Sequence, residues 1–343
     1  MSQTKPSILV TGGAGYIGSH TALMLEKAGY QVIVLDNLVY GHQQLIESVL
    51  STQVIVGDIS DRALLEDIFQ RYSIQAVVHF AAYAYVGESV TNPAKYYQNN
   101  VVGTLTLLDA MVKAGVSNLV FSSTCATYGV PQHVPIAEDH PQNPINPYGA
   151  SKLMVERIIT DYSAAYDLDA VIFRYFNAAG AHPEGCLGED HSPETHLIPL
   201  VLQTALGTRE RISVFGTDYD TPDGTCVRDY IHVMDLAQAH ILGLERLLNG
   251  DEGGIYNLSN GSGFSVKEVI DIARQVTGRE IPMAVCDRRA GDPPALAGCS
   301  QKARSVLNWQ PQYPDLETII THAWQWHQRR HAVEDTPKVA ASV

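Results

Sequence analysis

Tyr148 and Lys152 are the residues whose types and spacing most directly suggest chemistry. They follow Asn146-Pro147, a dipeptide that predicts a helix start. Residues four apart share one face of a helix, so the phenol and the ammonium are expected to point the same way. A fixed ammonium nearby would lower the pKa of a phenol from about 10, which makes Tyr148 a candidate general base. The spacing alone is also typical of an exposed helix face, so the surrounding motifs must decide.

Hydroxyl groups are clustered where another predicted strand ends. Residues 118–122 have a strand pattern that continues directly into Ser123 and Thr124. In open α/β sheets, ligands bind beyond the carboxyl ends of the strands. The loop over residues 131–147 is too long for a plain connection and is a candidate functional loop. These hydroxyls are therefore candidate ligand contacts.

A glycine-rich turn near the amino terminus predicts a dinucleotide site. Residues 8–10 form an apolar run that is typical of a strand buried on both faces. Gly12, Gly15 and Gly18 follow at three-residue intervals, and an apolar helical pattern comes next. Strand, glycine turn and helix together favour pyrophosphate binding at a helix N-terminus over an ordinary glycine-rich connection.

Asp36 lies at the carboxyl end of the second predicted strand, residues 31–35. An acidic residue there can accept hydrogen bonds from an adenosine ribose and would repel a 2′-phosphate, which favours NAD over NADP. A solvated loop aspartate is the alternative. An oxidised nicotinamide would add a second positive charge that lowers the pKa of Tyr148.

The elements that must position these residues alternate between strand and helix patterns. Further strands are predicted at residues 53–56, 76–80 and 170–174. This alternation predicts βαβ units and a parallel sheet. The rhythm breaks after residue 174, and residues 180–199 are rich in Gly, Pro, His and acidic residues. We expect a boundary between two lobes there.

Charge and cysteine usage limit the classes of partner. The chain of 343 residues has a formal net charge of −14, which argues against nucleic acid or an anionic membrane as a main partner. It has no apolar run long enough to span a bilayer. The five cysteines are scattered without a CxxC pair, so we expect reduced thiols in the cytoplasm and no metal site. Residues 331–343 are expected to form a flexible tail.

Two arginines in turn-rich segments are candidate phosphate anchors. Arg228 and Arg289 stand out because an anionic substrate needs local basic residues in so acidic a chain. A guanidinium matches a phosphate with two parallel hydrogen bonds. A pair of exposed surface arginines is the alternative.

Seven stretches give the chain a resemblance to a known family. They are TGGAGYIGSH, HFAAYAYVGES, FSSTCATYG, NPYGASK, RYFNAAGAHP, VFGTDYDTPDGTCVRDYIHVMDLA and RRAGDPPA. With Thr124, Tyr148 and Lys152, they make the chain resemble the extended short-chain dehydrogenase/reductases from residue 7 to about residue 328. Within that family the more specific resemblance is to the UDP-glucose 4-epimerases.

The resemblance implies an α/β fold with a Rossmann-like, doubly wound parallel sheet and a smaller carboxyl-terminal lobe. Residues 1–180 would form the NAD-binding domain and residues 181–330 the UDP-sugar-binding lobe. Segments near residues 230–258, namely 230–233 and 255–258, are expected to rejoin or abut the first domain. A homodimer is also expected from the family.

The resemblance further implies a reaction that interconverts UDP-glucose and UDP-galactose with tightly bound NAD. Tyr148 would remove the proton of the sugar 4-hydroxyl while C4 gives hydride to the nicotinamide. Lys152 would lower the tyrosine pKa and hold the nicotinamide ribose, and Thr124 would supply the third hydroxyl. The 4-keto sugar would then turn about its anchored pyrophosphate and take the hydride back on its other face.

Individual binding residues are implied in the same way. Arg228 and Arg289 would bind the pyrophosphate, Asn177 would contact the diphosphate, and Asp292 would contact the uridine ribose. The cofactor positions are Gly12, Gly15, Tyr16, Ile17, Gly18, Asp36, Asn37, Asp58, Ile59, Phe80, Ala81, Ala82, Asn99, Ser122, Tyr148, Lys152 and Tyr175. The substrate positions are Thr124, Tyr148, Phe176, Asn177, His196, Leu197, Val214, Phe215, Arg228, Tyr230, Arg289 and Asp292.

Three positions depart from the family pattern or vary within it. Ala84 stands where many relatives carry a lysine, which puts one NAD phosphate contact in doubt. His196 stands where some relatives have an asparagine, which leaves its substrate contact open. Leu296 falls where pocket size varies, so the sequence does not decide whether N-acetylated sugars are accepted.

Other functions of the same fold remain to be weighed. Related 4,6-dehydratases place an Asp-Glu pair after the threonine, and related decarboxylases place a glutamate there, whereas this chain has Cys125-Ala126. A 4-epimerase for UDP-N-acetylhexosamine or UDP-glucuronate stays open. A non-catalytic NAD sensor is the alternative from another class, and it would not need a phenol and an ammonium on one helix face.

Overall fold

The computed structural model describes residues 6–289 and 292–334. The strands are β1 (Ser7–Thr11), β2 (Gln31–Asp36), β3 (Val54–Val56), β4 (Ile74–His79), β5 (Asn118–Thr124), β6 (Asp169–Tyr175), β7 (Asn177–Ala179), β8 (Ile212–Phe215), β9 (Val227–Arg228), β10 (Tyr230–His232), β11 (Gly254–Leu258), β12 (Phe264–Ser265), β13 (Met283–Cys286) and β14 (Ala295–Leu296). The helices are α1 (Tyr16–Lys27), α2 (Gln43–Glu47), α3 (Arg62–Arg71), α4 (Val86–Thr91), α5 (Pro93–Tyr96), α6 (Thr104–Ala114), α7 (Pro147–Tyr166), α8 (Leu197–Leu206), α9 (Val233–Leu248), α10 (Val266–Thr277), α11 (Gln301–Val306) and α12 (Leu316–Glu334).

A seven-stranded sheet in the order β11-β6-β5-β4-β1-β2-β3 organises the larger part of the molecule. Its neighbouring strands all pair in parallel. The chain winds outward from β1 in one direction through β2 and β3, and then returns to β4 on the other side. The order therefore reverses between β1 and β4, which is where doubly wound sheets bind ligands. The predicted Rossmann-like fold is confirmed.

The apolar runs of the strands are explained by two cores, one on each face of the sheet. All five residues of β1 are buried. Ile8 and Val10 pack in a cluster with residues of α1 and α9. Leu9 packs on the opposite face with residues of α6 and α7. Because both faces are covered by helices, the strand has no polar alternation.

Capping hydrogen bonds mark the starts of two helices, and the first of them confirms the start predicted at Asn146-Pro147. The Asn146 side chain accepts a hydrogen bond from the backbone nitrogen of Gly149 at 2.8 Å, which fixes the first turn of α7. Ser265 begins α10 with a capping box, in which Glu268 completes the reciprocal bond. Residues 97–103, between α5 and α6, form a π-helical segment. Such segments are often found at functional sites.

The smaller lobe is built from short sheets and three helices. Helices α8, α10 and α12 surround one apolar cluster, while β8 pairs with β13 and β9 lies between β12 and β14. Two later segments return toward the first lobe, since β11 is the edge strand of the main sheet and β10 pairs with β7. Helix α12 runs to residue 334, so the first residues of the predicted tail are helical. Residues 335–343 lie outside the described residues. Among the described residues, no helix combines the length and apolar character needed to cross a membrane.

Candidate active site

The turn between β1 and α1 leaves no space for side chains. Gly12 has a φ of +71°, and a Cβ there would lie 2.5 Å from the backbone nitrogen of Ala81. A Cβ on Gly18 would lie 2.2 Å from the carbonyl oxygen of Gly12. Gly15 occupies the N-cap position of α1 and has no side chain to satisfy the first N–H groups. The turn is therefore a cradle that fits the diphosphate of a dinucleotide.

Gly18→Ala is expected to lower the free energy of unfolding by about 1–3 kcal/mol, because the new methyl group meets a backbone carbonyl. Gly87→Ala in α4 is the matched control, since a Cβ there has nothing within 4 Å. The control should be neutral or slightly stabilising, because alanine favours helix more than glycine does. Chemical denaturation of both variants measures the difference. Equal stabilities would show that helix and strand are not in the close contact described.

Asp36 is buried at the carboxyl end of β2 and lines the same cleft as the glycine turn. Its carboxylate accepts hydrogen bonds from the backbone nitrogens of Ala14 at 2.9 Å and Leu38 at 2.8 Å. Burial raises the pKa of Asp36, and these two bonds oppose the rise. Two oxygens with further lone pairs remain able to accept from ribose hydroxyls.

Thr124, Tyr148 and Lys152 line this cleft from the opposite side. Thr124 is the last residue of β5, and the other two lie on the first turns of α7. The Lys152 ammonium donates a hydrogen bond to the carbonyl oxygen of Ser122 at 2.7 Å and lies 4.8 Å from the ring centre of Phe121. The structure therefore brings the three predicted groups together at the carboxyl edge of the sheet.

The electrostatics of the three groups differ from the expectation. Burial raises the pKa of Tyr148 to about 12, although a hydrogen bond with Thr124 opposes the rise. Burial also lowers the pKa of Lys152 to about 7, against the charge of Glu156. The predicted lowering of the phenol pKa by Lys152 is therefore not found in the protein chain itself. Removal from water is the largest influence on the phenol, and positive charge in the cleft, such as the oxidised nicotinamide of the sequence-based expectation, would favour the phenolate.

The cleft has a volume of about 540 Å³ and contains nearly all the predicted cofactor positions. The predicted positions that line it are Gly12, Gly15, Tyr16, Ile17, Gly18, Asp36, Asn37, Ile59, Phe80, Ala81, Ala82, Asn99, Ser122, Tyr148, Lys152 and Tyr175. Asp58 is not among the lining residues, but its carboxylate accepts a hydrogen bond from Asn37 at 2.8 Å. Asp58 therefore influences the cleft indirectly, because it holds the side chain of Asn37, which lines the cleft.

A second cavity of about 280 Å³ adjoins the first and shares Asn177, Ala178, His196 and Asp292 with it. The predicted substrate positions in this cavity are Asn177, His196, Leu197, Phe215, Arg228, Tyr230, Arg289 and Asp292. The other predicted substrate positions, Thr124, Tyr148 and Phe176, line the first cavity, as does Leu296. Val214 lines neither cavity, because its side chain is buried in the apolar cluster of the smaller lobe.

The two predicted phosphate anchors are held in different ways. The Arg228 guanidinium donates to the carbonyl oxygens of Val227 at 2.8 Å and Pro293 at 3.0 Å, and lies 3.3 Å from the Asp292 carboxylate. The Arg289 guanidinium lies 3.9 Å from the ring centre of Phe215. Both guanidinium groups therefore have fixed positions on the cavity wall.

Sequence reasoning missed Glu189 and His191, which also line the first cavity. His196 is paired with Glu189 and Glu194, since its Nδ1 lies 2.6 Å from the first carboxylate and 3.3 Å from the second. Burial opposes a charge on His196, but the two carboxylates raise its pKa well above the usual value. The alternation of Glu and His between residues 189 and 196 is the signal that could have identified this group.

Comparison with known proteins is consistent with this geometry. Residues 8–259 match the model of the NAD dependent epimerase/dehydratase family. A UDP-glucose 4-epimerase from Halalkalibacterium halodurans is 56% identical over 94% of this chain and 96% of that protein.

Solved structures give the same result. The structure of UDP-glucose 4-epimerase from Brucella ovis in complex with NAD has a TM-score of 0.90 at 51% identity, covering 93% of this chain and 97% of that one. The structure of UDP-glucose 4-epimerase from Bifidobacterium longum in complex with NAD+ and UDP has a TM-score of 0.89 at 40% identity, covering 95% of this chain and 99% of that one. With most of its length matched by the family model and by these relatives, the chain belongs to the NAD dependent epimerase/dehydratase family.

Proposed function

We propose that this protein is an isomerase that interconverts UDP-glucose and UDP-galactose by reversible oxidation at sugar C4. One observation carries the proposal. The phenol, hydroxyl and amine of Tyr148, Thr124 and Lys152 line one cleft with the glycine cradle, and that cleft opens into the cavity of Arg228 and Arg289. A nucleotide sugar whose diphosphate lies between the arginines would extend its sugar toward the phenol. The relatives described above carry the same activity in their names.

The cleft fits NAD, which accepts and returns the hydride of sugar C4 when it is bound. The glycine cradle would hold its diphosphate and Asp36 its adenosine ribose. Lys152 is in reach of the second ribose from its position beside Ser122. Ala84 lines the cleft and has no amine to contact the diphosphate, unlike the lysine that many relatives carry at this position. Other groups of the cleft would make that contact.

The residues of the chain handle the proton. Tyr148 takes the proton of the sugar 4-hydroxyl and gives it back, with Thr124 orienting the phenol through their hydrogen bond. An ammonium at Lys152 stabilises the phenolate that forms. Arg228 and Arg289 hold the diphosphate, which leaves the sugar free to present either face.

The rival nucleotide-sugar reactions lack their catalytic carboxyl groups here. Thr124 is followed by Cys125 and Ala126 in a single turn of 3₁₀-helix. Burial raises the pKa of the Cys125 thiol to about 12, so it remains protonated and cannot replace a carboxylate base. Elimination of water and decarboxylation are therefore disfavoured. A non-catalytic NAD sensor is also disfavoured, because it would not need Thr124, Tyr148 and Lys152 together in one cleft.

Purified protein mixed with UDP-galactose, without added NAD, should form UDP-glucose. Separation of the two products by chromatography measures the reaction. Absence of UDP-glucose from folded protein that carries NAD would refute the proposed activity. UDP-N-acetylgalactosamine and UDP-galacturonate should be assayed beside it, because Leu296, at a position where pocket size varies in the family, lines the cleft. Faster turnover of either would reassign the substrate.

We also propose that the first lobe binds NAD and that the residues after about 180 bind the UDP-sugar, with β11 and α9 returning to the first lobe.

A homodimer is proposed from the family resemblance. It is supported by helices α4 and α7, which pack together and expose Val86, Val90 and Met154. A cytoplasmic location is supported by cysteines that are all unpaired.

A further inference from the structure

A loop between β7 and α8 directs four metal-binding side chains toward one point. Glu189, His191, Glu194 and His196 each offer one ligand atom, and these atoms all lie within 4.8 Å of one another. The four residues fall within eight positions of the chain. The proton-transfer chemistry of the proposed function uses none of them. No metal site was expected from the sequence, because the five cysteines are scattered without a CxxC pair.

The two buried carboxylates of this group need positive charge close to them. The side chains of Glu189 and Glu194 are only 4% and 5% exposed. Two carboxylates buried side by side are unstable unless positive charge neutralises them. Either both imidazoles carry an extra proton or a divalent cation lies between the four groups. The two possibilities predict different compositions for the purified protein.

The ligand atoms lie close enough together for one cation to contact all four side chains. His191 Nδ1 lies 3.1 Å from Glu189 Oε1 and 3.9 Å from Glu194 Oε2. His196 Nδ1 lies 2.6 Å from Glu189 Oε1 and 3.3 Å from Glu194 Oε1. A tetrahedral zinc ion with bonds of about 2.0–2.1 Å requires ligand atoms about 3.3 Å apart. The distances of 3.1 Å and 3.3 Å are close to that value, whereas the 2.6 Å contact has the length of a charged hydrogen bond and must lengthen when an ion replaces the proton on His196.

The surroundings hold the ligands in place. Glu194 Oε1 accepts hydrogen bonds from the backbone nitrogens of Thr195 at 2.6 Å and His196 at 2.8 Å. The indole of Trp326 donates to the carbonyl oxygen of Glu189 at 3.0 Å. The rings of Tyr16 and Tyr85 both pack edge-on against the His191 ring. In metal sites, contacts of this kind between the ligand side chains and their surroundings fix the orientation of the ligands.

We propose that Glu189, His191, Glu194 and His196 bind one zinc ion. Two imidazole nitrogens and two carboxylate oxygens form a four-coordinate site that zinc accepts, and four protein ligands leave no position for substrate. The ion is therefore structural. It cross-links the loop that borders both cavities, because Glu189, His191 and His196 line the cofactor cleft and His196 also lines the substrate cavity. His196, with 45% of its side chain exposed, provides the route of entry.

Zinc content of the whole purified protein tests the site independently of activity. Tag-free protein is loaded with zinc sulfate, dialysed against metal-free buffer and analysed for metal by mass spectrometry. The wild type should retain about one zinc per chain. Glu194→Gln, which preserves the shape of the side chain, and His191→Ala should each weaken zinc binding at least about tenfold.

Glu184→Gln is the matched control. Glu184 belongs to the second group of potential ligands, His182, Glu184 and Cys186, and is exposed. This variant should retain zinc as the wild type does. Zinc lost from Glu184→Gln but kept by Glu194→Gln would place the ion elsewhere and overturn the proposal. Wild-type protein that dialyses to a negligible zinc content would show that protons, not a cation, neutralise the loop. Circular dichroism of each variant confirms that it is folded, so loss of zinc is not confused with loss of structure.

Discussion

Tyr148→Phe is expected to lower the turnover of UDP-galactose by about 10²–10⁴-fold, the range typical of general acid–base catalysis. The phenol lies in the cleft with Thr124 and Lys152, and its oxygen is the atom that would exchange the proton of the sugar hydroxyl. Phenylalanine keeps the ring and removes only that oxygen. The NAD content should therefore remain close to that of the wild type, because the glycine cradle and Asp36 are unchanged. Steady-state kinetics and the absorbance of released NAD measure the two effects.

Tyr162→Phe is the control for this change. Tyr162 lies on the same helix, α7, and its hydroxyl donates to the exposed Asp109 at 2.6 Å, away from the cleft. The same atom is removed, so any general effect of losing a tyrosine hydroxyl from α7 appears in both variants. Turnover of the control should stay near the wild-type value. Near-normal turnover of Tyr148→Phe would remove Tyr148 from the mechanism.

The strands of the main sheet could be predicted from sequence because their burial on both faces leaves uninterrupted apolar runs. Residues 8–10 and 31–35 lie inside β1 and β2 for this reason. The π-helical segment at residues 97–103 could not be predicted, since an apolar period does not specify which carbonyl each N–H bonds. The place of β11 beside β6 is set by contacts distant in sequence, and the family resemblance predicted only that residues 255–258 rejoin or abut the first domain.

The candidate site shows a similar division. Residue types and spacing were enough to group Tyr148 with Lys152, because a helix places them on one face. The pKa values were not accessible, since burial depends on elements from the whole chain, and burial is the largest influence on both groups. Val214 was placed by resemblance in the substrate site, but its side chain packs in the core of the smaller lobe. The burial of Glu189 could not be predicted because it depends on elements distant in the chain, and only the order of Glu and His over residues 189–196 marks this group.

A buried ion pair beneath the site is expected to be the most sensitive part of the fold. Arg174 and Glu156 have side chains only 3% and 4% exposed, with a shortest distance of 2.6 Å between Nη2 and Oε2. Arg174 also donates to Tyr128 at 3.0 Å, and Glu156 accepts from Ser123. Removing one charge leaves the other buried without a counter-ion, so Glu156→Gln should cost about 3–5 kcal/mol of unfolding free energy. Urea denaturation at equilibrium measures the loss.

Asp67→Asn provides the comparison, because Asp67 forms a salt bridge with Arg71 in which the side chains of Asp67 and Arg71 are 43% and 67% exposed. An exposed pair of this kind contributes less than about 1 kcal/mol to the free energy of unfolding. A second comparison is Glu156→Leu combined with Arg174→Met, which should recover much of the lost stability because no charge is left unpaired. If Glu156→Gln and Asp67→Asn cost the same, the pair is not desolvated as described.

The same variant should also change the proton chemistry. Burial lowers the pKa of Lys152 to about 7, and the Glu156 carboxylate limits that fall. Without that negative charge, the pKa of Lys152 falls further, and less ammonium is present at neutral pH to stabilise a phenolate at Tyr148. Turnover of Glu156→Gln should therefore decline at neutral pH and recover as the pH is lowered toward the new pKa of Lys152. A loss of turnover that is uniform across pH would instead mean that Glu156 acts only through the stability of the fold.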